Sequence, residues 1–246
     1  MKVLAAGSLR TVWTSLMAPF PEPVEAEFGP AGLLRERIEA GEFCDLFASA
    51  NLAHPRALLA AGRALAVFPF ASNQLCLTVR REVWRKGDDW FSLLTRETLR
   101  IATSTPGADP SGDYAQELFT RMGAAGESVR RRAQALVGGR DSAPIPPGRL
   151  AAEWILHSGK AEVFIGYASY GETLRQMEGL KVITIPPPYN PLANYACAVI
   201  TPQAQPLADF LLSVEAQKIV QQAGFLPSPC GRGALFSPSP RGRGPG

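Results

Sequence analysis

Ser8, Ser111 and Tyr167 are the residues whose types and placing give this sequence its chemistry. Each is a neutral hydroxyl at an apolar or small-residue segment: Ala5-Ala6-Gly7-Ser8-Leu9, Asp109-Pro110-Ser111-Gly112 and Val163-Phe164-Ile165-Gly166-Tyr167. Two further small-residue turns, Ala31-Gly32 and Pro146-Pro147-Gly148, also stand just before helical patterns. The start of a helix has bare N–H groups and partial positive charge, which suits an anion. Four such starts converging on one point would hold an anion with no cation at all. Taken singly, each is equally an ordinary helix cap. Tyr167 closes an apolar strand, so it either packs with a wet tip or offers its hydroxyl to a ligand.

Catalysis has a weaker basis. His54 and His157 are the only histidines, and neither stands in a nucleophile-and-base arrangement. The chain has no G-x-S-x-G, P-loop or G-x-G-x-x-G pattern. Asp45, in Phe43-Cys44-Asp45-Leu46-Phe47-Ala48-Ser49-Ala50-Asn51, is a general base on paper, but an acid closing a strand more often braces nearby backbone. The reading is a binding protein, not an enzyme, with no cofactor. Cysteines at 44, 76, 197 and 230 include no C-x-x-C pair, so metal spacing is absent. Three lie in strand-like runs and read as buried small hydrophobes. A Cys76–Cys197 disulfide stays open if those strands are neighbours.

The elements that would position these groups alternate. Strands are expected at about 2–6, 24–28, 43–48, 73–80, 100–103, 161–167, 182–186 and 195–201. Helices are expected at about 8–20, 33–40, 55–61, 90–94, 113–122, 126–137, 149–158 and 206–223. Gly41 is the expected stop of the second helix, and 138–148 reads as a Gly/Pro loop. Alternation of this kind means α/β with parallel sheets. Two lobes with crossing connections fit the number of strands better than one doubly wound sheet. The 246 residues are 46% apolar and carry a net charge of +3, enough for two cores and too weakly basic for nucleic acid. The run Arg130-Arg131-Arg132 reads as a solvated helix face. No apolar stretch is long enough to span a bilayer, and no signal peptide is read at the start. Residues 230–246, rich in Gly, Pro, Ser and Arg, are expected to be disordered.

In order along the chain, the segments around Ser8, Phe28-Gly29-Pro30-Ala31-Gly32-Leu33-Leu34, Asp45 to Asn51, Asp109 to Ala115, Gly159 to Tyr167 and Phe210 to Phe225 resemble the molybdate/tungstate-binding proteins. That family supplies the solute-binding component of the molybdate ABC importer. The resemblance implies a type II periplasmic-binding-protein fold, with two α/β lobes of mixed sheets joined by crossing hinge strands. Lobe 1 would be 1–77 plus 198–229, and lobe 2 would be 78–197. It implies a monomer that holds molybdate or tungstate between the lobes and meets an ABC permease at the membrane. Carried over position by position, the oxyanion would touch Ser8, Ala31 and Gly32, Ser111, the loop at Pro147, and Tyr167. Ala31 stands where the family usually has serine, and the prolines at 144, 146 and 147 have no N–H to donate. Family resemblance places the protein in the periplasm. The absence of a signal peptide leaves a second reading, a cytoplasmic ligand-sensing domain on the same fold that binds a different small anion.

Overall fold

The computed structural model describes residues 1–228; the tail expected to be disordered, with Cys230, lies outside them. The chain opens with β1 (Lys2–Ala6), α1 (Arg10–Met17), β2 (Glu25–Gly29), α2 (Ala31–Glu39), β3 (Leu46–Ser49), α3 (Ala53–Ala60) and β4 (Ala66–Asn73). It continues with β5 (Leu75–Arg80), α4 (Trp90–Thr95), β6 (Ile101–Ser104), α5 (Pro110–Arg121), α6 (Ala124–Arg132), β7 (Gln134–Val137), α7 (Ala151–His157), β8 (Val163–Tyr167), α8 (Gly171–Arg175) and β9 (Leu180–Thr184). It closes with β10 (Ala193–Val199), α9 (Gln205–Leu211), α10 (Val214–Gln222) and the short β11 (Leu226–Pro227).

These strands form two sheets, ordered β11-β4-β10-β3-β1-β2 and β7-β6-β8-β5-β9. Neither is purely parallel, as plain alternation suggested. β1 runs parallel to β2 and β3, but β10 is antiparallel to β3 and β4. β6 runs parallel to β7 and β8, but β5 is antiparallel to β8 and β9. The antiparallel pairs arise because the chain crosses between sheets twice. Gln74 alone separates β4 in the first sheet from β5 in the second, and the return runs from β9 to β10. The changes of sheet fall at Gln74 and within 185–192, ahead of the boundaries expected at 77/78 and 197/198, the second of which lies inside β10.

The central strands carry no polar alternation because helices cover both faces. Val3, Leu4, Ala5, Leu46, Phe47 and Ala48 are all fully buried. Helix α2 stops where expected: Ala40 is its C-cap, and Gly41 follows at φ +100°, a left-handed conformation that costs glycine little. Helix α5 begins with Asp109 as N-cap and Pro110 at its first position. Asp45 braces backbone: its carboxylate accepts from the Lys2 N–H (2.8 Å) and the Thr201 hydroxyl (2.7 Å), tying β1 to the end of β10.

Several elements depart from expectation: the single helix expected at 206–223 is two, α9 and α10, and α8 and β11 were not expected. Residues 66–73 form β4 despite Pro69. The register against β10 slips there, so that Ala196 faces Pro69, Tyr195 faces Ala71 and Phe70 is left over. The bulge absorbs a residue that cannot donate to the ladder. Residues 134–137, expected to continue a helix, pair with β6 instead as β7. Cys76 and Cys197 sit in different sheets and, like Cys44, are buried free thiols, so the disulfide left open above does not form.

Candidate functional site

The carboxyl ends of β1 and β2 in one sheet face those of β6 and β8 in the other. Several contacts join the two sides. Gly32 N–H donates to the Ala108 carbonyl (2.9 Å), and the Tyr170 hydroxyl to the Gly7 carbonyl (3.3 Å). The Tyr114 hydroxyl donates to the Ala50 carbonyl (3.3 Å), and Arg140 pairs with Glu36 at the rim. Gly32 is required by this approach. A Cβ there would lie 2.4 Å from the Gly107 carbonyl oxygen and 2.7 Å from that of Ala108.

Ser8 lies in a single 3₁₀ turn, Gly7–Leu9, and does not cap α1 as expected. Its hydroxyl instead lies 2.8 Å from that of Tyr195, in the middle of β10. The Tyr195 hydroxyl is 3.5 Å from Asn73 Nδ2, which donates to the Ser169 hydroxyl at 2.9 Å. Asn73 Oδ1 also accepts from the N–H groups of Gln74 (2.9 Å) and Ser169 (3.3 Å). This chain of neutral groups therefore runs from one sheet, over the crossing residue, to the end of β8.

Tyr167 is only 6% exposed, its ring centroid is 5.8 Å from that of Tyr195, and its hydroxyl, beside that of Tyr195, makes no well-formed hydrogen bond. Burial pushes the Tyr167, Tyr170 and Tyr195 phenols above their usual range, so all three remain neutral donors.

Ser111 is buried in the first turn of α5, its N–H donating to Asp109 Oδ1 at 3.1 Å. The Asp109 carboxyl is pushed up to about 6, chiefly by burial, and acts electrostatically on Tyr167 and Tyr170. Ala31 and Gly32 are buried at the start of α2. Pro147 does not join them: it is exposed in the loop before α7.

The structure thus brings Ser8 and Tyr167 together around Tyr195, with Ser111 on the helix whose cap faces Tyr167. Sequence reasoning missed Asn73, Ser169, Tyr170 and Tyr195. Only Tyr195 had a signal, a hydroxyl-bearing aromatic inside a buried strand; the others come together through the crossing. The histidines stand apart. His54 is buried with both ring nitrogens unpartnered, and His157 bonds Glu153 and the Glu178 carbonyl. A cavity of about 620 Å³ involving Arg80 and His157 lies at the far end of β5 from the Tyr167 pairing. Among the described residues, no three His, Cys, Asp or Glu side chains gather into a metal site, and no helix is long and apolar enough to cross a membrane.

Residues 1–226 match the model of a family described as bacterial extracellular solute-binding protein. The chain belongs to this family. The protein PM1146 of Pasteurella multocida (strain Pm70) is 46% identical over 238 residues, which cover 93% of this solute-binding chain and 99% of that relative. Among solved structures, the periplasmic molybdate-binding protein of Azotobacter vinelandii is similar with a TM-score of 0.72 at 19% identity, covering 92% of this chain and 98% of that one. The sulfate-binding protein SubI of Mycobacterium tuberculosis H37Rv gives 0.70 at 19%, covering 92% and 86%. The substrate-binding domain of a putative molybdenum ABC transporter from Clostridium difficile gives 0.63 at 22%, covering 92% and 98%. At such identities the likeness is one of fold, that of the type II periplasmic binding proteins.

Proposed function

We propose that this solute-binding protein holds a tetrahedral oxyanion, molybdate or tungstate, between its lobes and delivers it to an ABC permease. The observation that carries the reading is the meeting of neutral hydroxyl and amide donors from both sheets around the buried phenols of Tyr167 and Tyr195. Ser8 and Tyr195 come from one side, Tyr167 and Ser169 from the other, with Asn73 at the crossing. Such donors bind an anion well because each hydrogen bond to a charged group is strong and the groups are already placed. No proton has to be moved on a substrate carbon or phosphorus, and no nucleophile-and-base pair is part of the set.

Within this reading Ser8, Ser111 and Tyr167 touch the ligand, as the family resemblance implies, and Tyr195, Asn73 and Ser169 join them. Ala31 and Gly32 form a wall. The Gly32 N–H is used between the lobes, and Pro147, exposed and without an N–H, is left out. The similar structures include a molybdate-binding and a sulfate-binding protein, which supports an oxyanion of this shape. Calorimetric titration of the full chain with molybdate, tungstate and sulfate is the test. Saturable heat with the first two and a weaker response to sulfate is the expected result, and no heat with any of them overturns the proposal.

A further inference from the structure

Tyr170 ends the 3₁₀ turn Ala168–Tyr170 that follows β8. The turn is fixed at the crossing between the sheets. The Ala168 N–H donates to the Gln74 carbonyl (2.8 Å), and Asn73 accepts the Ser169 N–H on Oδ1 (3.3 Å) while donating to its hydroxyl from Nδ2 (2.9 Å). Gly224, just past α10, backs the same turn from the first lobe: a Cβ there would lie 3.2 Å from the Ser169 carbonyl oxygen. From this anchored base Tyr170 reaches across to the turn that carries Ser8. Its hydroxyl donates to the Gly7 carbonyl at 3.3 Å. Burial pushes the phenol above its usual range, so it keeps the proton that it donates.

The Gly7 carbonyl has a second donor, the Arg10 N–H that closes the turn Gly7–Leu9. Ala6 stands at the N-cap position of that turn and offers no side-chain bond, so local capping does not hold it. Two donors on one carbonyl fix the plane of the rigid Gly7–Ser8 peptide instead. Ser8 is thereby held at two points, its peptide by Tyr170 and its hydroxyl by Tyr195 at 2.8 Å. With Tyr195 as donor in that pair, the Ser8 proton is left for an anion oxygen. A donor moved out of hydrogen-bond range loses most of its worth, so what holds Ser8 bears on the ligand. We infer that Tyr170 is a positioning residue: it does not touch the oxyanion, but holds the Gly7–Ser8 peptide so that the Ser8 hydroxyl meets it. This inference rests on the oxyanion reading and adds to it a residue of one lobe that acts through a donor of the other.

The test is a double-mutant cycle, read by calorimetric titration of the full chain with molybdate. Tyr170→Phe keeps the ring and loses only the hydroxyl, and thermal melts check that each variant folds. It is expected to weaken binding by roughly three- to tenfold, the effect of about one hydrogen bond. Ser8→Ala is expected to weaken binding by more, since it removes the donor itself. The double variant should bind within about twofold of Ser8→Ala, because the two changes then remove one contact in common. A phenol that bonded the anion directly would instead give losses that multiply, and one that only steadied the fold would lower the melting temperature without changing affinity. Multiplying losses, or unchanged affinity in Tyr170→Phe or in Ser8→Ala, overturns the inference and leaves the oxyanion reading intact. No heat from the wild-type chain with molybdate, tungstate or sulfate overturns both.

Discussion

Replacing Ser8 with alanine removes the hydroxyl that meets Tyr195. Under the proposed function Ser8→Ala and Tyr195→Phe each weaken oxyanion binding by ~1.5–3 kcal/mol, the range for a hydrogen bond to a charged partner; titration calorimetry checks this, and unchanged affinity in both removes them from the site. Asp109 supplies a prediction that needs no ligand. Its carboxyl rises from 3.8 to about 6 on folding, so the folded state prefers the protonated form. The stability this gives is complete below about pH 3.8 and is lost as pH rises through 6. Asp109→Asn should therefore raise unfolding stability at pH 8 by up to ~3 kcal/mol and leave it nearly unchanged at pH 3.5, as read by denaturant unfolding. At this scale the sequence revealed Ser8, Ser111 and Tyr167 as hydroxyls beside small residues. It could not reveal that Ser8 abandons its cap for Tyr195, because that contact spans 187 positions and exists only once β10 is inserted between β3 and β4.

Among the elements, the start of α2 is fixed by steric room rather than by capping chemistry. Gly32→Ala would drive a methyl into the carbonyl oxygens of Gly107 and Ala108. The expected outcome is a weaker junction between the lobes, seen as a larger radius of gyration by X-ray scattering and as weakened oxyanion binding. Asn190 is the counterpart in the return crossing. Its side chain bonds the Leu75 N–H (2.9 Å), the Leu75 carbonyl (2.8 Å) and the Ile185 carbonyl (3.2 Å) while buried. Asn190→Ala leaves those groups unsatisfied and should cost ~2–4 kcal/mol of unfolding stability, measurable by chemical denaturation. Most helices and strands were legible from hydrophobic runs and glycine stops. β4 was not, because Pro69 interrupts a run that reads as strand only once the bulge is known. β7 was not either, because Gln134-Ala135-Leu136-Val137 continues a helical composition and takes strand form only by pairing with β6.

For the molecule as a whole, His54 is one group that contributes to acid sensitivity. Burial first, and the nearby Arg35 second, lower it from 6.5 to about 4. The folded state keeps it neutral while the unfolded chain takes a proton below 6.5. Stability is then fully present above pH 6.5 and falls as pH drops towards 4, by up to ~3 kcal/mol. His54→Phe should flatten that limb in thermal melts at pH 7 and 4.5. Composition and order of segments made the two-lobed architecture legible, since strands and helices alternate from Lys2 onward. The sites of crossing were not, because a sheet change at Gln74 leaves no mark in polarity or length.

That crossing has a mechanical consequence. One residue stands between β4 and β5, and Asn73 and Asn190 stitch the two spans to their surroundings, which restrains independent sliding of the two sheets. The crossings lie at Gln74 and at residues 185–192, and Asn73, beside the first, also lies on the hydroxyl chain to Ser8. Under the proposed function, a shift at this crossing would disturb the donors to the anion at the same time.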